Sequence, residues 1–218
     1  PTVARQIIRG TWTDVGVWAN QTVPGIGELA LYVINGDGRN GGVNRDTRGG
    51  GNDGKTLGGR LRINQLVNGL DMGFSLANGK YDPNNDFRST RFGLHLATDL
   101  RQWLSLSREL SLRGEWLFGR DEKGSTVGLD GDKRDARLQG WYLQLVKGLS
   151  QDIEAIVRYG EYDQDKAISD NLKRELSAGL SYNLFSKIKL KLEYQWNMEE
   201  GPRRASNNLI AGQAVVNW

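Results

Sequence analysis

The 218 residues contain no cysteine, one histidine and four prolines. Without cysteine there is no disulfide framework, no thiol nucleophile and no thiolate metal site. The one histidine, His95, has no catalytic serine and orienting partner in a recognisable pattern beside it. Ser177 and Ser181 fall on other segments without a signature, so no enzyme activity is expected. Nor does any stretch approach the roughly 20 apolar residues that a membrane-crossing helix needs. That excludes helical membrane proteins only, because the strands of a transmembrane barrel alternate lipid-facing and lumen-facing residues. Lys and Arg number 29 against 26 Asp and Glu, scattered along the chain. A net charge of +3 so dispersed is no footprint for nucleic acid. No signal-peptide pattern is visible, and no cofactor motif.

What is present is glycine (29), tryptophan (7) and tyrosine (7), a composition that suits strands joined by many turns. The clearest segments alternate with period two. Leu57, Leu61 and Ile63 oppose Arg60, Arg62 and Asn64; Leu70, Met72, Phe74 and Leu76 oppose Asp71, Gly73 and Ser75. Phe92, Leu94 and Leu96 oppose Arg91, Gly93 and His95, and Leu112, Trp116 and Phe118 oppose Ser111, Arg113 and Glu115. Leu176, Leu180 and Tyr182 oppose Glu175 and Ser181, and Ile188, Leu190, Leu192, Tyr194 and Trp196 oppose Lys189, Lys191, Glu193 and Gln195. Val15–Thr22, Leu29–Ile34, Gln139–Val146, Ile153–Tyr159 and Leu209–Trp218 bring the count to about eleven, each near the 9–11 residues of a tilted spanning strand.

Short connectors (Pro24–Gly27, Leu66–Gly69, Asn183–Ser186) interleave with long polar ones (Asn35–Thr56, Asn78–Ser89, Gly119–Asp135, Glu161–Leu172, Asn197–Ser206). Short turns at one rim and long loops at the other predict an all-β, antiparallel up-and-down transmembrane barrel. Leu100–Glu109 is long for the short-turn side and reads as a periplasmic turn with extended strand ends. A soluble all-β protein is the competing fold. A closed barrel of this many strands would be too wide to fill with its own side chains, so apolar outside and charged inside requires lipid. Aromatics toward strand ends suit interfacial girdles, and the terminal Trp218 resembles the assembly signal read by the barrel-assembly machinery. Trp218 at the periplasmic rim puts the long loops outside and leaves Pro1 extracellular. Single-chain barrels normally have even strand numbers, so residues 1–218 read as one barrel domain with further N-terminal strands expected; a strand over Thr2–Ile8 is the alternative.

Several segments, in order, resemble the phosphate-selective porin (O and P) family of Gram-negative outer membranes. They are Thr13-Asp14-Val15-Gly16-Val17 with Tyr32-Val33-Ile34-Asn35-Gly36-Asp37-Gly38, Leu112-Arg113-Gly114-Glu115-Trp116 and Gly140-Trp141-Tyr142-Leu143-Gln144. The last is Gly179-Leu180-Ser181-Tyr182-Asn183-Leu184 with Lys189-Leu190-Lys191-Leu192-Glu193-Tyr194. The resemblance implies a water-filled diffusion channel of about sixteen strands, usually a homotrimer, set in membrane lipid and lipopolysaccharide and passing small anionic solutes. The family's phosphate-binding residues do not map onto positions here.

A pore selects by its lining charge. On this phasing the lining carries Arg60, Arg62, Arg91, Arg113, Arg158, Lys189 and Lys191 against Asp71, Glu115, Glu154, Glu175 and Glu193. The balance leans positive, with Arg60/Arg62 and Lys189/Lys191 stacked two residues apart. Either the lining prefers anions, phosphate among them, or neighbouring strands neutralise one another as cross-strand pairs. A structural sheath around a partner such as an electron-transfer cytochrome is the alternative function, although the chain has no haem motif. The acidic loops Asp82–Asp86 and Asp130-Gly131-Asp132 lack a complete Ca²⁺ ligand pattern and read as solvated.

Overall fold

In the computed structural model, residues 15–35, 54–64, 66–81, 84–123, 134–163, 165–184, 188–200 and 207–216 are described. Trp218, the Thr2–Ile8 segment, Asp130-Gly131-Asp132, Asp82 and the Thr13-Asp14 start of the first resemblance segment lie outside them. Eleven strands form one sheet in sequence order, every neighbouring pair antiparallel. They are β1 (Gly16–Val23), β2 (Gly27–Ile34), β3 (Thr56–Ile63), β4 (Leu70–Lys80), β5 (Arg88–Asp99), β6 (Leu110–Asp121), β7 (Ala136–Gly148), β8 (Ile153–Asp163), β9 (Leu172–Leu184), β10 (Ile188–Glu199) and β11 (Leu209–Val216). The order is that of an up-and-down meander, and β1 and β11 are its two edges. The all-β architecture and its strand count follow the alternation in the sequence.

The short connections are built from local turn chemistry. Between β1 and β2, Pro24 fixes the first corner and Gly25 takes φ 76°, while Ile26 N–H donates to the Val23 carbonyl at 3.0 Å. Pro then Gly with positive φ is the pattern of a type II turn. Between β7 and β8 the Ser150 hydroxyl accepts from the backbone N–H of Asp152 and Ile153. The β5–β6 connection departs from the expected extended strand ends. Leu100–Leu104 forms a short helix, α1, whose N-cap Asp99 accepts from Arg101 N–H at 3.0 Å and which stops at Ser105 in the left-handed region.

The two faces of the sheet are buried in the inverse of the usual sense. Following partners from strand to strand puts Thr56, Ser89, Asp121, Glu175, Ser177, Ser181 and Gln195 on one face, and all are buried, Ser181 completely. The other face carries Leu31, Leu57, Leu76, Leu143, Val157, Leu180, Leu192 and Ile210, all exposed, Leu192 at 60%. The polar face is therefore the crowded inner one and the apolar face looks outward. A small apolar cluster interrupts the inner face, where Leu117 and Tyr162 pack with Tyr142.

Register also sets the lean of the strands. From Arg60 the partners run Ser75, Gly93, Leu117, Gly140, Tyr162, Lys173 and Glu199. The short-turn ends lie progressively further below that row: five residues at Leu70 of β4, six at Asp99 of β5, eight at Gly148 of β7 and eleven at Ile188 of β10. The stagger is one residue per strand. With about 3.3 Å per residue and about 4.8 Å between strands, that is a tilt of about 35°, the angle of transmembrane barrels.

Candidate pore lining

All eight residues assigned to the lining from the sequence share the inner face by register. They are Arg60 and Arg62 on β3, Arg91 on β5, Arg113 and Glu115 on β6, Arg158 on β8, and Lys189 and Lys191 on β10. They do not behave alike. Arg62 grips Asp71 through Nε at 3.0 Å and a terminal nitrogen at 2.6 Å. Arg91 forks onto Asp121 at 2.6 and 3.0 Å, the carboxylate being 2% exposed. Arg158 lies between Glu175 (3.1 Å) and Glu193 (2.8 Å) and reaches across β9 to do so. Lys189 spans the same strand to Glu154 at 2.8 Å, where Ser181 Oγ also donates. Cross-strand neutralisation thus takes up four of the seven cations.

Arg60, Arg113 and Lys191 make no ion pair among the described residues, and all three are exposed. The two stacked pairs expected along β3 and β10 are therefore split, one member tied to a carboxylate and the other open to the lumen side. The open members share a level. Arg60 stands three residues from Ile63, Arg113 three from Leu110 and Lys191 three from Ile188, each at the short-turn end of its strand. At the tilt above this is about 8 Å from the short-turn rim.

Neutralising pairs obey the same levels. Lys189 and Glu154 are each one residue from their strand ends, and Arg158 and Glu193 are each five. Between two and four residues up, the inner-face positions of the described strands hold no carboxylate. They carry Arg60, Arg113, Lys191 and His95, with Asn20, Gln144, Ser181 and Gln213 among the uncharged remainder. His95 Nε2 is 3.4 Å from Asp71 Oδ1, and its ring lies across Gly73, where a side chain would overlap it. Glu115 sits higher, directly opposite Tyr142.

Sequence reasoning missed part of this face. Asp121, the buried partner of Arg91, falls in what reads as loop, as do Lys173 and Glu199, which pair at 3.4 Å. Adding these, Glu28 and Asp99 makes the whole face close to neutral rather than positive. The missed signal is that the alternation of β6 continues through Gly119 and Asp121 beyond Phe118. Among the described residues no cluster of His, Asp or Glu is arranged to hold a metal ion.

No protein-family model matches this chain, and no curated protein matches it. Among solved structures it is similar to an anion-selective porin from Comamonas acidovorans, with a TM-score of 0.60 and 13% sequence identity. The superposition covers 92% of this chain and 55% of that one, so the chain spans about half the length of its structural neighbour. The eleven-stranded meander with its inverted burial is a porin-like β-barrel fold.

Proposed function

We propose that this chain forms the wall of an outer-membrane channel through which small solutes diffuse, with a preference for anions such as phosphate. The observation that carries the preference is the level at Arg60, Arg113 and Lys191, where the inner face presents cations from three strands and no carboxylate. An ion crossing the lumen meets the local field rather than the average of the whole face, because salt screens charges beyond about 8 Å. A near-neutral wall with one positive zone therefore still discriminates. The membrane part rests on the exposed outward apolar face, which is far larger than soluble monomers tolerate. In lipid the edges β1 and β11 also need pairing partners to close the wall, since unpaired peptide groups cost several kcal/mol each. The anion selectivity named for the structural neighbour agrees with the same assignment.

Planar-bilayer recordings under a salt gradient test this directly. The wild-type chain should conduct without added protein, with a reversal potential on the anion side. Replacing Arg60, Arg113 and Lys191 together by Gln should lower anion over cation permeability severalfold, whereas Lys189→Gln should shift it less. An unmoved reversal potential in the triple variant overturns the preference. A chain that inserts yet carries no current overturns the channel and favours a sheath around a partner.

A further inference from the structure

On the outward face, beyond the last apolar residues, the strands do something that sheets normally avoid. Lys80 of β4 stands directly opposite Arg88 of β5, and Arg120 of β6 directly opposite Arg137 of β7. Arg120 also faces Thr90, two residues from Arg88, so Arg88 and Arg120 are diagonal neighbours on the same face. Four consecutive strands thus carry an unbroken line of four cations. Like charges directly opposed destabilise a sheet unless something of opposite sign lies between them.

The four share one level. Lys80 and Arg120 are ten residues from the short-turn ends of their strands, and Arg88 and Arg137 are eleven. Phe92, Trp116, Phe118 and Trp141 lie on the same face six to eight residues up, with Phe92 and Phe118 ring centroids 6.2 Å apart. The order outward from the apolar band is therefore aromatic girdle, then cation belt, at about 28 Å from the short-turn rim.

The chain supplies too few carboxylates to settle the belt. Asp135 takes Arg120 at 2.5 Å, and Glu122 accepts from the backbone N–H of Arg88 rather than from its guanidinium. Lys80 donates to the Asp86 carbonyl at 3.4 Å, Arg88 to Asn78 Oδ1 at 3.4 Å, and Lys123 lies over the Phe87 ring. The same level on β8 and β9 is built differently, for Arg174 stands directly opposite Glu161 and also pairs with Glu200 at 2.7 Å.

We propose that the belt on β4–β7 binds the phosphate groups of a phosphorylated glycolipid headgroup in the outer leaflet, the chemistry that lipopolysaccharide presents. This rests on the membrane-channel assignment above. The girdle marks where the acyl chains end, and the next layer outward is where lipid phosphates lie. Guanidinium groups take phosphate oxygens in pairs, so a phosphate seated between Arg120 and Arg137, or beside Arg88 and Lys80, converts the opposed charges into a bridge.

The test uses the intact chain in detergent, titrated with diphosphoryl lipid A, with its dephosphorylated counterpart and with inorganic phosphate, and read by native mass spectrometry. Only the phosphorylated lipid should bind. Arg88→Gln with Arg137→Gln should weaken it about tenfold, while Arg88→Lys with Arg137→Lys should keep most of the affinity and report on folding. Equal binding of the two lipids, or unchanged affinity in the Gln variant, overturns the belt as a lipid site. Displacement by equimolar inorganic phosphate assigns it to free anions and overturns it equally. Bilayer conductance of the same preparations separates the two claims: conduction without lipid discrimination sinks the belt alone, and no conduction sinks the channel.

Discussion

On the inner face Arg158 stands between Glu175 and Glu193; on the outer rim Arg120 stands opposite Arg137. Both arrangements come from the same antiparallel registers, one strand apart in phase. Inward, the chain supplies its own counter-charges, and the pairs are half-buried under neighbouring side chains. At the outward rim it opposes cation to cation and leaves the compensation to the surroundings. Charge inside shapes what passes, and charge outside shapes what the wall is set in.

The comparison breaks if inner pairs prove dispensable. Arg158→Ala leaves Glu175, whose side chain is only 10% exposed, without its cation and should cost about 3 to 5 kcal/mol. Arg60→Ala, on the same face but unpaired and exposed, should cost under about 0.5 kcal/mol. Urea unfolding from lipid vesicles would read both, and equal losses would mean that pairing is not what holds the inner face.

It sharpens if the outer face is charge-tolerant only at its rim. Leu143 lies five residues from the short-turn end of β7, in the middle of the outward apolar band, and Leu143→Arg should cost about 2 to 4 kcal/mol. The chain itself carries Arg137 on the same face of the same strand, six residues away. If insertion efficiency of Leu143→Arg matches the wild type, the outward band is not in lipid.

The smallest effect belongs to Asp135. The hydrogen bond from Arg120, then that from the Lys123 backbone N–H, holds its carboxyl below the usual carboxylate range. A lowered folded pKa stabilises the fold above the ordinary Asp value of about 3.9 and loses that contribution as pH falls through the folded value. Asp135→Asn should therefore shift the urea midpoint slightly at neutral pH and not at all in strong acid. A difference that grows toward acid would reverse the assignment.

Much of this was legible in the sequence wherever one face is uniformly apolar. In β10, Ile188, Leu190, Leu192, Tyr194 and Trp196 leave a single possible phase, and the inner residues follow from it. Strand tips were not legible, because Gly119-Arg120-Asp121 has turn residues and charges, and only its partners on β5 extend it. The helix α1 was missed although Leu100, Trp103 and Leu104 have helical spacing; ten residues between two strands drew attention to strand ends instead. Which of Arg60 and Arg62 is paired depends on where Asp71 falls across the β3–β4 register, and one residue of slip would exchange them. The opposed cations of the rim are invisible for the same reason, since Lys80 and Arg88 meet only once the hairpin between them is in register.

The stagger of one residue per strand has a consequence for where the protein can reside. It sets how much of each strand's length becomes depth, about 2.7 Å per residue at a tilt of about 35°. The stretch from the short turns to the aromatic girdle, seven residues or so, then covers about 20 Å of hydrocarbon. Ordinary bilayers are nearer 30 Å, and the bacterial outer membrane is thinner than average. A thicker membrane would have to be pinched around this wall, so the register of the sheet acts as a gauge that sorts the protein toward thin lipid.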